Sequence, residues 1–162
     1  MKDKAREFAI RRHGGQKYGE HPYSVHLDAV ANISSGYGDD AVAIAYLHDV
    51  VEDTDTTLDE IEAEFGLFIS QCVSLLTDEP GVNRKERKAK TYEKMTNVSG
   101  EFKLALIVKT ADRLANIRAC VAQNNRGLLR MYTKEHSVFK QAVYRLNLCE
   151  PLWQEMESIV NP

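Results

Sequence analysis

Leu-His-Asp-Val-Val-Glu-Asp-Thr, at residues 47–54, is the stretch that decides the fold of this 162-residue chain. The apolar run at residues 41–47 leads straight into it and contains neither glycine nor proline. Such a composition predicts a buried helix, which we expect to end near Thr54. The ionisable side chains of residues 48–53 therefore lie at the edge of the predicted core.

Three carboxylates and one imidazole crowd this segment. On a helix, side chains four residues apart share a face, so we expect His48 beneath Glu52 and Asp49 beneath Asp53. The three carboxylates repel one another, and the helix macrodipole adds to this repulsion near a helix C-terminus. Either a bound cation or exposure to water must offset the repulsion. In the simpler alternative, the charges are solvated and His48 is a core histidine.

Composition is that of an ordinary globular protein and predicts one domain, residues 1–162. Charged residues make up 28%, hydrophobic residues 43%, and the formal net charge is −3. A chain of this length buries roughly two-thirds of its unfolded surface in a single core. The slightly negative net charge is no reason to expect a nucleic-acid partner.

Targeting and redox signals are absent from the sequence. The N-terminal residues 1–12 mix charges throughout, and no apolar run reaches the length of a membrane span, so we expect no membrane association. Cys72, Cys120 and Cys149 are widely spaced and form no CxxC pair, which indicates reduced cysteines rather than a disulfide framework or a zinc knuckle. A cytoplasmic location is therefore expected.

Helical periodicity dominates the rest of the chain, and no alternating strand pattern is convincing. The predicted helices span residues 3–12, 24 to about 33, 58–65, 67–76, 84 to about 95, 101–123, 127–149 and 151–160, with a polar loop at 16–23. The sequence therefore predicts an all-α, single-domain helical bundle.

Two further residues are candidate metal ligands. His26 lies in the first turn of a predicted helix, where a loop-to-helix junction can aim a side chain into a cleft. Asp112 interrupts a strongly apolar helix, where a carboxylate is costly unless it is paired or coordinated. Lys109 or Arg113 could pair with it instead. Asn116 follows Asp112 by one turn on the same side.

Together, two imidazoles and two carboxylates from three helices make a mixed nitrogen and oxygen donor set. Such a set suits Mn²⁺, Fe²⁺, Mg²⁺ or Zn²⁺. Four protein ligands on a six-coordinate ion leave positions for water and substrate.

A basic segment opens the helix at residue 84. Arg84 and Lys88 share a face of this helix. The run is either a solvated surface or a positive wall that faces phosphate groups.

Three blocks of sequence carry a family resemblance: Pro22-Tyr23 ahead of His26, the block at 48–54, and Lys-Thr-Ala-Asp-Arg-Leu-Ala-Asn at 109–116. In this order they resemble the HD superfamily of metal-dependent phosphohydrolases. More closely, they resemble the hydrolase domain of RelA/SpoT homologues and the short alarmone hydrolases of the metazoan SpoT homologue type. The Glu-Asp pair after the His-Asp pair is the specific feature. The resemblance is strongest over residues 4–120.

This resemblance implies an HD-type bundle that binds one Mn²⁺ and acts on a small phosphorylated nucleotide. Its implied metal ligands are His26, His48, Asp49 and Asp112. Glu52 and Asp53 are implied to activate or orient the attacking water, and Asn116 to contact the nucleotide. The implied reaction is hydrolysis of the 3′-pyrophosphate of guanosine tetra- or pentaphosphate with release of pyrophosphate. Too little chain remains for a synthetase domain, so we expect degradation only.

Departures from the family pattern leave the substrate open. Relatives usually carry an Arg-Lys pair before Pro-Tyr, with the arginine stacked on guanine, whereas this shorter loop offers Lys17 or Tyr18 for the same task. Ala119 stands where relatives often have threonine. The alternatives are another nucleotide, such as the 2′-phosphate of NADPH or a nucleoside phosphate, and a nucleotide-binding module without turnover.

Overall fold

The computed structural model describes residues 1–161, and these fold into an all-α bundle with one small hairpin. The α-helices are α1 (Lys2–His13), α2 (Ser24–Ser34), α3 (Asp39–Leu47), α4 (Val50–Asp53), α5 (Leu58–Phe65), α6 (Leu67–Leu76), α7 (Arg84–Thr96), α8 (Lys103–Ala122), α9 (Arg126–Val143) and α10 (Glu150–Val160). Short 3₁₀ turns occur at Ser35–Tyr37 and Gly100–Phe102. The predicted fold class is confirmed.

Helices α3 and α8 form the centre of the bundle. Residues 41–45 and Leu47 of α3 are all buried, as expected for a helix that is apolar on nearly every side. Around α3 pack α1, α2, α6 and α8, and α8 in turn contacts α2, α6, α9 and α10. The core therefore holds the helix that leads into the block at 48–54 and the helix that carries the block at 109–116.

The segment at 47–54 is not one continuous helix, and the prediction is wrong on this point. Helix α3 ends at Leu47, a turn covers His48 and Asp49, and α4 begins at Val50. The ring nitrogen Nδ1 of His48 donates to the Ala45 carbonyl at 2.6 Å. A continuous helix would use that carbonyl for the backbone N–H of Asp49, so the side chain competes with the helical hydrogen bond.

The expected loop at 16–23 contains a two-stranded antiparallel hairpin. Strand β1 (Lys17–Tyr18) pairs with β2 (His21–Pro22), with Lys17 opposite Pro22 and Tyr18 opposite His21. Gly19 turns the chain with φ of 60°, a conformation that favours glycine. Strands of two residues are too short to show an alternating pattern, so this hairpin could not be predicted from the sequence.

The predicted helix at 127–149 ends earlier, at Val143. Beyond it, the guanidinium of Arg145 donates to the carbonyls of Met95 and Thr96 at 3.0 and 3.1 Å. Asn147 then adopts φ of 63°. These contacts fasten the turn to the end of α7 and break the helix.

Cys72, Cys120 and Cys149 are buried free thiols, as predicted. Within residues 1–161, none of the helices has both the length and the apolar character that crossing a bilayer requires.

Helix α5 begins with a capping box, and this feature can be tested. The Thr57 side chain accepts from the backbone N–H of Glu60, while the Thr57 N–H donates to the Glu60 carboxylate at 2.8 Å. We expect Thr57→Ala to lower the free energy of unfolding by about 1 kcal/mol in urea titrations. Thr133→Ala, at an exposed position within α9, is the matched control and should change it by less than about 0.5 kcal/mol. Equal effects of the two substitutions would contradict the capping role.

Candidate metal centre

Two imidazoles and two carboxylates converge where α2, the α3–α4 turn and α8 meet. Asp49 Oδ2 lies 2.9 Å from His48 Nε2 and 3.7 Å from His26 Nε2. Asp112 Oδ1 lies 3.2 Å from His26 Nε2 and 3.5 Å from His48 Nε2. The ligand atoms of His26, His48 and Asp49 all lie within 4.8 Å of one another. The structure thus brings together all four residues that the sequence nominated.

The histidines are held with their Nε2 atoms facing inward. His26 is 3% exposed and lies on the buried side of α2. The Ala45 carbonyl can only accept a hydrogen bond, so His48 Nδ1 must carry the proton. This tautomer leaves the Nε2 lone pair of a neutral His48 directed at the carboxylates.

The donor atoms fit a divalent cation. His48 Nε2 is buried and has no hydrogen-bond partner among residues 1–161. A lone pair that faces carboxylate oxygens at 2.9 and 3.5 Å is repulsive unless a proton or a cation lies between them. Nitrogen and oxygen donors in this ratio are typical of Mn²⁺, Fe²⁺ and Zn²⁺ sites.

Charge within the cluster keeps both carboxylates ionised. Burial alone would raise the pKa of Asp49, but His48 outweighs burial and lowers it. Burial likewise opposes ionisation of Asp112, yet Lys109 and the two histidines bring its pKa well below the usual value. In return, the carboxylates raise the pKa of His48 despite its burial. A bound cation would replace the proton that this arrangement otherwise attracts.

Lys109 is the ion-pair partner of Asp112. Its Nζ lies 3.5 Å from Asp112 Oδ2, and Lys109 is 7% exposed. Arg113, the other partner considered from the sequence, turns away and contacts Glu135 at 3.1 Å and the Tyr92 hydroxyl at 2.9 Å. Asp112 therefore uses one oxygen for the lysine and presents the other to the histidines.

Glu52 and Asp53 border the cluster on α4. Burial of its carboxylate raises the pKa of Glu52, although the backbone N–H of Asp78 donates to Oε2 at 3.0 Å and opposes the shift. Asp53 Oδ2 lies 3.1 Å from the Tyr23 hydroxyl and 3.4 Å from Gln16 Nε2. An upward shift of the pKa favours uptake of a proton by this carboxylate.

Tyr23 is a site residue to which our sequence analysis gave no role. Its hydroxyl donates to Asp49 Oδ2 at 2.6 Å, which is shorter than its distance to Asp53. The signal in the sequence was its place in the Pro-Tyr block ahead of His26, but no spacing rule connects that block with Asp49.

A cavity of about 320 Å³ opens beside the cluster. Its lining residues come from the hairpin, α8 and α9: Tyr18, Gly19, Asn116, Ala119, Cys120, Gln123, Asn125, Leu128 and Tyr132. Tyr18 stacks on the His26 ring with centroids 4.6 Å apart and donates to Asn116 Oδ1 at 2.6 Å. Lys17 is exposed on the hairpin. Tyr18 and Asn116, both predicted as site residues, therefore lie side by side in the wall of one cavity. The lining residues of α9 were not predicted, because the family resemblance fades in that part of the sequence.

Arg84 and Lys88 lie on a different cavity, of about 460 Å³, between α7 and α9. Arg84 forms a two-pronged contact with Glu135 at 3.0 and 3.3 Å. Lys88 lies 2.7 Å from Asp78, and its burial lowers its pKa. Both cations therefore carry a carboxylate partner, so neither is simply a solvated charge.

Comparison with known families defines the class of this protein. The sequence pattern of the HD domain family matches residues 5–146. The chain belongs to the HD domain family, and the resemblance inferred from the three motifs is confirmed.

Among its relatives are guanosine-3′,5′-bis(diphosphate) 3′-pyrophosphohydrolases. The protein of this name from Homo sapiens, MESH1, is 40% identical over 121 residues, which cover 70% of this chain and 66% of that protein. MESH1 from Danio rerio is 36% identical over 118 residues, which cover 68% and 64%. The chain thus matches slightly less than two-thirds of the length of these relatives.

A solved structure gives the same result at the level of the fold. It is described as a metazoan ortholog of SpoT that hydrolyzes ppGpp and plays a role in starvation responses. It superposes with a TM-score of 0.82 and 25% identity, over 98% of this chain and 92% of that chain.

Removal of one candidate ligand should abolish metal binding. With Mn²⁺ as the probe, we expect Asp112→Asn to remove measurable divalent-cation binding in calorimetric titrations of chelator-treated protein, because the amide oxygen lacks the charge that balances the cation. Asp28→Asn is the matched control, since Asp28 lies on the same helix as His26 but contacts Arg6 at 2.8 Å. An Asp112→Asn protein that binds Mn²⁺ like the wild type would contradict the site.

Proposed function

We propose that this chain is a metal-dependent phosphohydrolase that removes pyrophosphate from the 3′ position of guanosine-3′,5′-bis(diphosphate). The convergence of the two imidazoles and two carboxylates beside the cavity of about 320 Å³ carries this proposal. A cavity of this size lies within the range of small-ligand sites. The names of the relatives support the choice of nucleotide.

Residues 1–162 are proposed to act as one HD phosphohydrolase domain. The hydrophobic core supports this extent, because it continues without interruption from Ala5 in α1 to Val160 in α10. Helices α9 and α10 pack against α8, so they belong to the same core as the metal ligands.

His26, His48, Asp49 and Asp112 are the proposed ligands of one divalent cation, with Mn²⁺ as the proposed metal. Such a cation, when bound, supplies Lewis acidity that lowers the pKa of a water ligand and polarises a phosphoryl oxygen. The protein contributes the orientation of its four side chains. The Ala45 carbonyl fixes His48, Tyr23 fixes Asp49 and Lys109 holds the second oxygen of Asp112.

Glu52 is the proposed general base. The upward direction of its pKa shift favours uptake of a proton, and its place on α4 directly follows the proposed ligands His48 and Asp49. Asp53 is proposed to orient the attacking water, with its own carboxylate held by Tyr23 and Gln16.

The nucleoside is proposed to occupy the cavity lined by Tyr18 and Tyr132, where aromatic rings can pack on a base. Lys17 on the exposed hairpin is proposed to supply positive charge for the phosphate groups. Arg84 and Lys88 are also proposed to do so, but they line the separate cavity between α7 and α9, and phosphate would have to compete with Glu135 and Asp78 for them. Asn116 lines the same cavity, although Tyr18 and Asp112 already engage its amide.

Product analysis tests the substrate. Purified protein with Mn²⁺ is incubated with guanosine tetraphosphate, NADPH and ordinary nucleoside phosphates, with and without chelator. We expect pyrophosphate release from guanosine tetraphosphate that the chelator stops. If that nucleotide is untouched while another loses phosphate, the substrate assignment is wrong. Binding of nucleotide without any turnover would indicate a binding module instead.

Substitution of the general base should separate chemistry from metal binding. We expect Glu52→Gln to keep the Mn²⁺ affinity and to lower kcat by about 10²–10⁴-fold, because the amide cannot accept the proton. Glu62→Gln, at an exposed glutamate of α5, is the control and should leave both quantities unchanged. Wild-type turnover in the Glu52→Gln protein would remove Glu52 from the mechanism.

A further inference from the structure

The segment between α1 and α2 directs the hydroxyls of Tyr18, on the hairpin, and Tyr23, just after it, toward the two carboxylates of the candidate metal centre. Tyr23 donates directly to Asp49 Oδ2 at 2.6 Å. Tyr18 donates to Asn116 Oδ1 at 2.6 Å, and Asn116 Nδ2 in turn donates to Asp112 Oδ1 at 2.8 Å. One carboxylate is therefore contacted directly and the other through an amide.

Both hydrogen-bond chains end on the oxygen atoms that face the imidazoles. The Asp49 oxygen that accepts from Tyr23 is the one 2.9 Å from His48 Nε2. The Asp112 oxygen that accepts from Asn116 is the one 3.2 Å from His26 Nε2. Each chain therefore sets the direction of a proposed ligand atom rather than of a remote oxygen.

The same two tyrosines also hold the ring of His26. Tyr18 stacks on it at 4.6 Å with an interplanar angle of 15°, and Tyr23 meets it edge-on at 5.6 Å and 65°. His13 of α1 stacks on the outer face of this arrangement, 4.4 Å from the Tyr23 ring. Backbone pairing fixes the spacing, because the Tyr23 N–H donates to the Gln16 carbonyl at 3.0 Å.

Both hydroxyls are hydrogen-bond donors in these contacts. The partner atoms are the Asn116 amide oxygen and an Asp49 carboxylate oxygen, which accept hydrogen bonds.

We propose that Tyr18 and Tyr23 are paired positioning residues that preorganise the carboxylate ligands Asp112 and Asp49 for the cation. This inference rests on the proposed function for the location of the metal centre, but not for the identity of the nucleotide. Outer hydrogen bonds of this kind orient ligands and typically change metal affinity by about 10–100-fold when removed.

The side-chain amide of Asn116 is fully engaged by hydrogen bonds within the protein. Its Nδ2 donates both to the Asp112 carbonyl at 3.0 Å and to Asp112 Oδ1, while its oxygen accepts from Tyr18. Both N–H groups of the amide are thereby used within the protein. Asn116 acts on the metal ligand, and Tyr18 holds Asn116 in the orientation that this requires.

Mn²⁺ titration of the chelator-treated 162-residue chain tests the proposal without any nucleotide. We expect Tyr18→Phe and Tyr23→Phe each to raise the Kd for Mn²⁺ by about tenfold, since both keep the ring and lose only the donor. Tyr144→Phe is the matched control, because it removes a phenol-to-carboxylate hydrogen bond, 2.8 Å to Glu150, far along the chain. The electron paramagnetic resonance spectrum of bound Mn²⁺ should change in the first two variants and not in the control.

A double-mutant cycle tests whether Tyr18 acts through Asn116. In an Asn116→Ala background, Tyr18→Phe should no longer change the Kd for Mn²⁺, whereas Tyr23→Phe should keep its full effect. An undiminished effect of Tyr18→Phe in that background would overturn the relay. Thermal unfolding of the metal-free proteins checks the fold, and the two variants should shift no more than Tyr144→Phe.

The outcomes separate this proposal from the proposed function. If Mn²⁺ affinity and spectrum in Tyr18→Phe and Tyr23→Phe match those of Tyr144→Phe, the positioning role is wrong, even if the wild type hydrolyses guanosine tetraphosphate. If affinity falls as expected while that nucleotide is not hydrolysed, the positioning role stands and the substrate assignment fails. A wild type that binds no Mn²⁺ would overturn the positioning role together with the metal site.

Discussion

Charge crowded at the edge of an apolar core is the constraint on which the rest of this structure depends. Helices α3 and α8 fill the centre of the bundle, and they carry Asp112 and the His48-Asp49 turn at the border of that core. Carboxylates in such surroundings are unstable unless neighbours compensate them. Neighbouring groups supply compensation: Lys109 pairs with Asp112, the Ala45 carbonyl fixes His48, and Tyr23 between the hairpin and α2 donates its hydroxyl to Asp49.

Placement of the site follows from this constraint. Interruption of the helix between α3 and α4 lets His48 face inward while Asp49 reaches the Tyr23 hydroxyl. The cavity beside the cluster exists because α9 crosses the end of α8 and brings Leu128 and Tyr132 opposite the hairpin. The proposed metal ligands lie on α2, the α3–α4 turn and α8, and the proposed substrate cavity adds residues of α9. The HD domain match at 5–146 includes both.

Local sequence signals predicted much of the fold, and the exceptions have physical causes. Helices α5 and α6 coincide with the predicted 58–65 and 67–76, because the Thr57 capping box and the apolar spacing depend on neighbours within one turn. The break at His48 arose from a side chain competing for a helical carbonyl. The end of α9 at Val143 depends on Arg145 bonding to carbonyls of α7, some 50 positions earlier in the chain. The hydrophobic periodicity of the sequence predicts neither the break at His48 nor the end of α9.

By itself, the sequence determined the all-α class, the four residues that the structure brings together and the family of the protein. Apolar periodicity and the types of donor residues are local properties, so both can be recognised in the amino-acid sequence without a structure. Only the tertiary structure decided how those donors are oriented, that Lys109 rather than Arg113 pairs with Asp112, and that Tyr18 engages Asn116 across 98 residues of chain. Such contacts depend on the packing of whole helices against one another, so the residue types alone leave several partners open and geometry selects one.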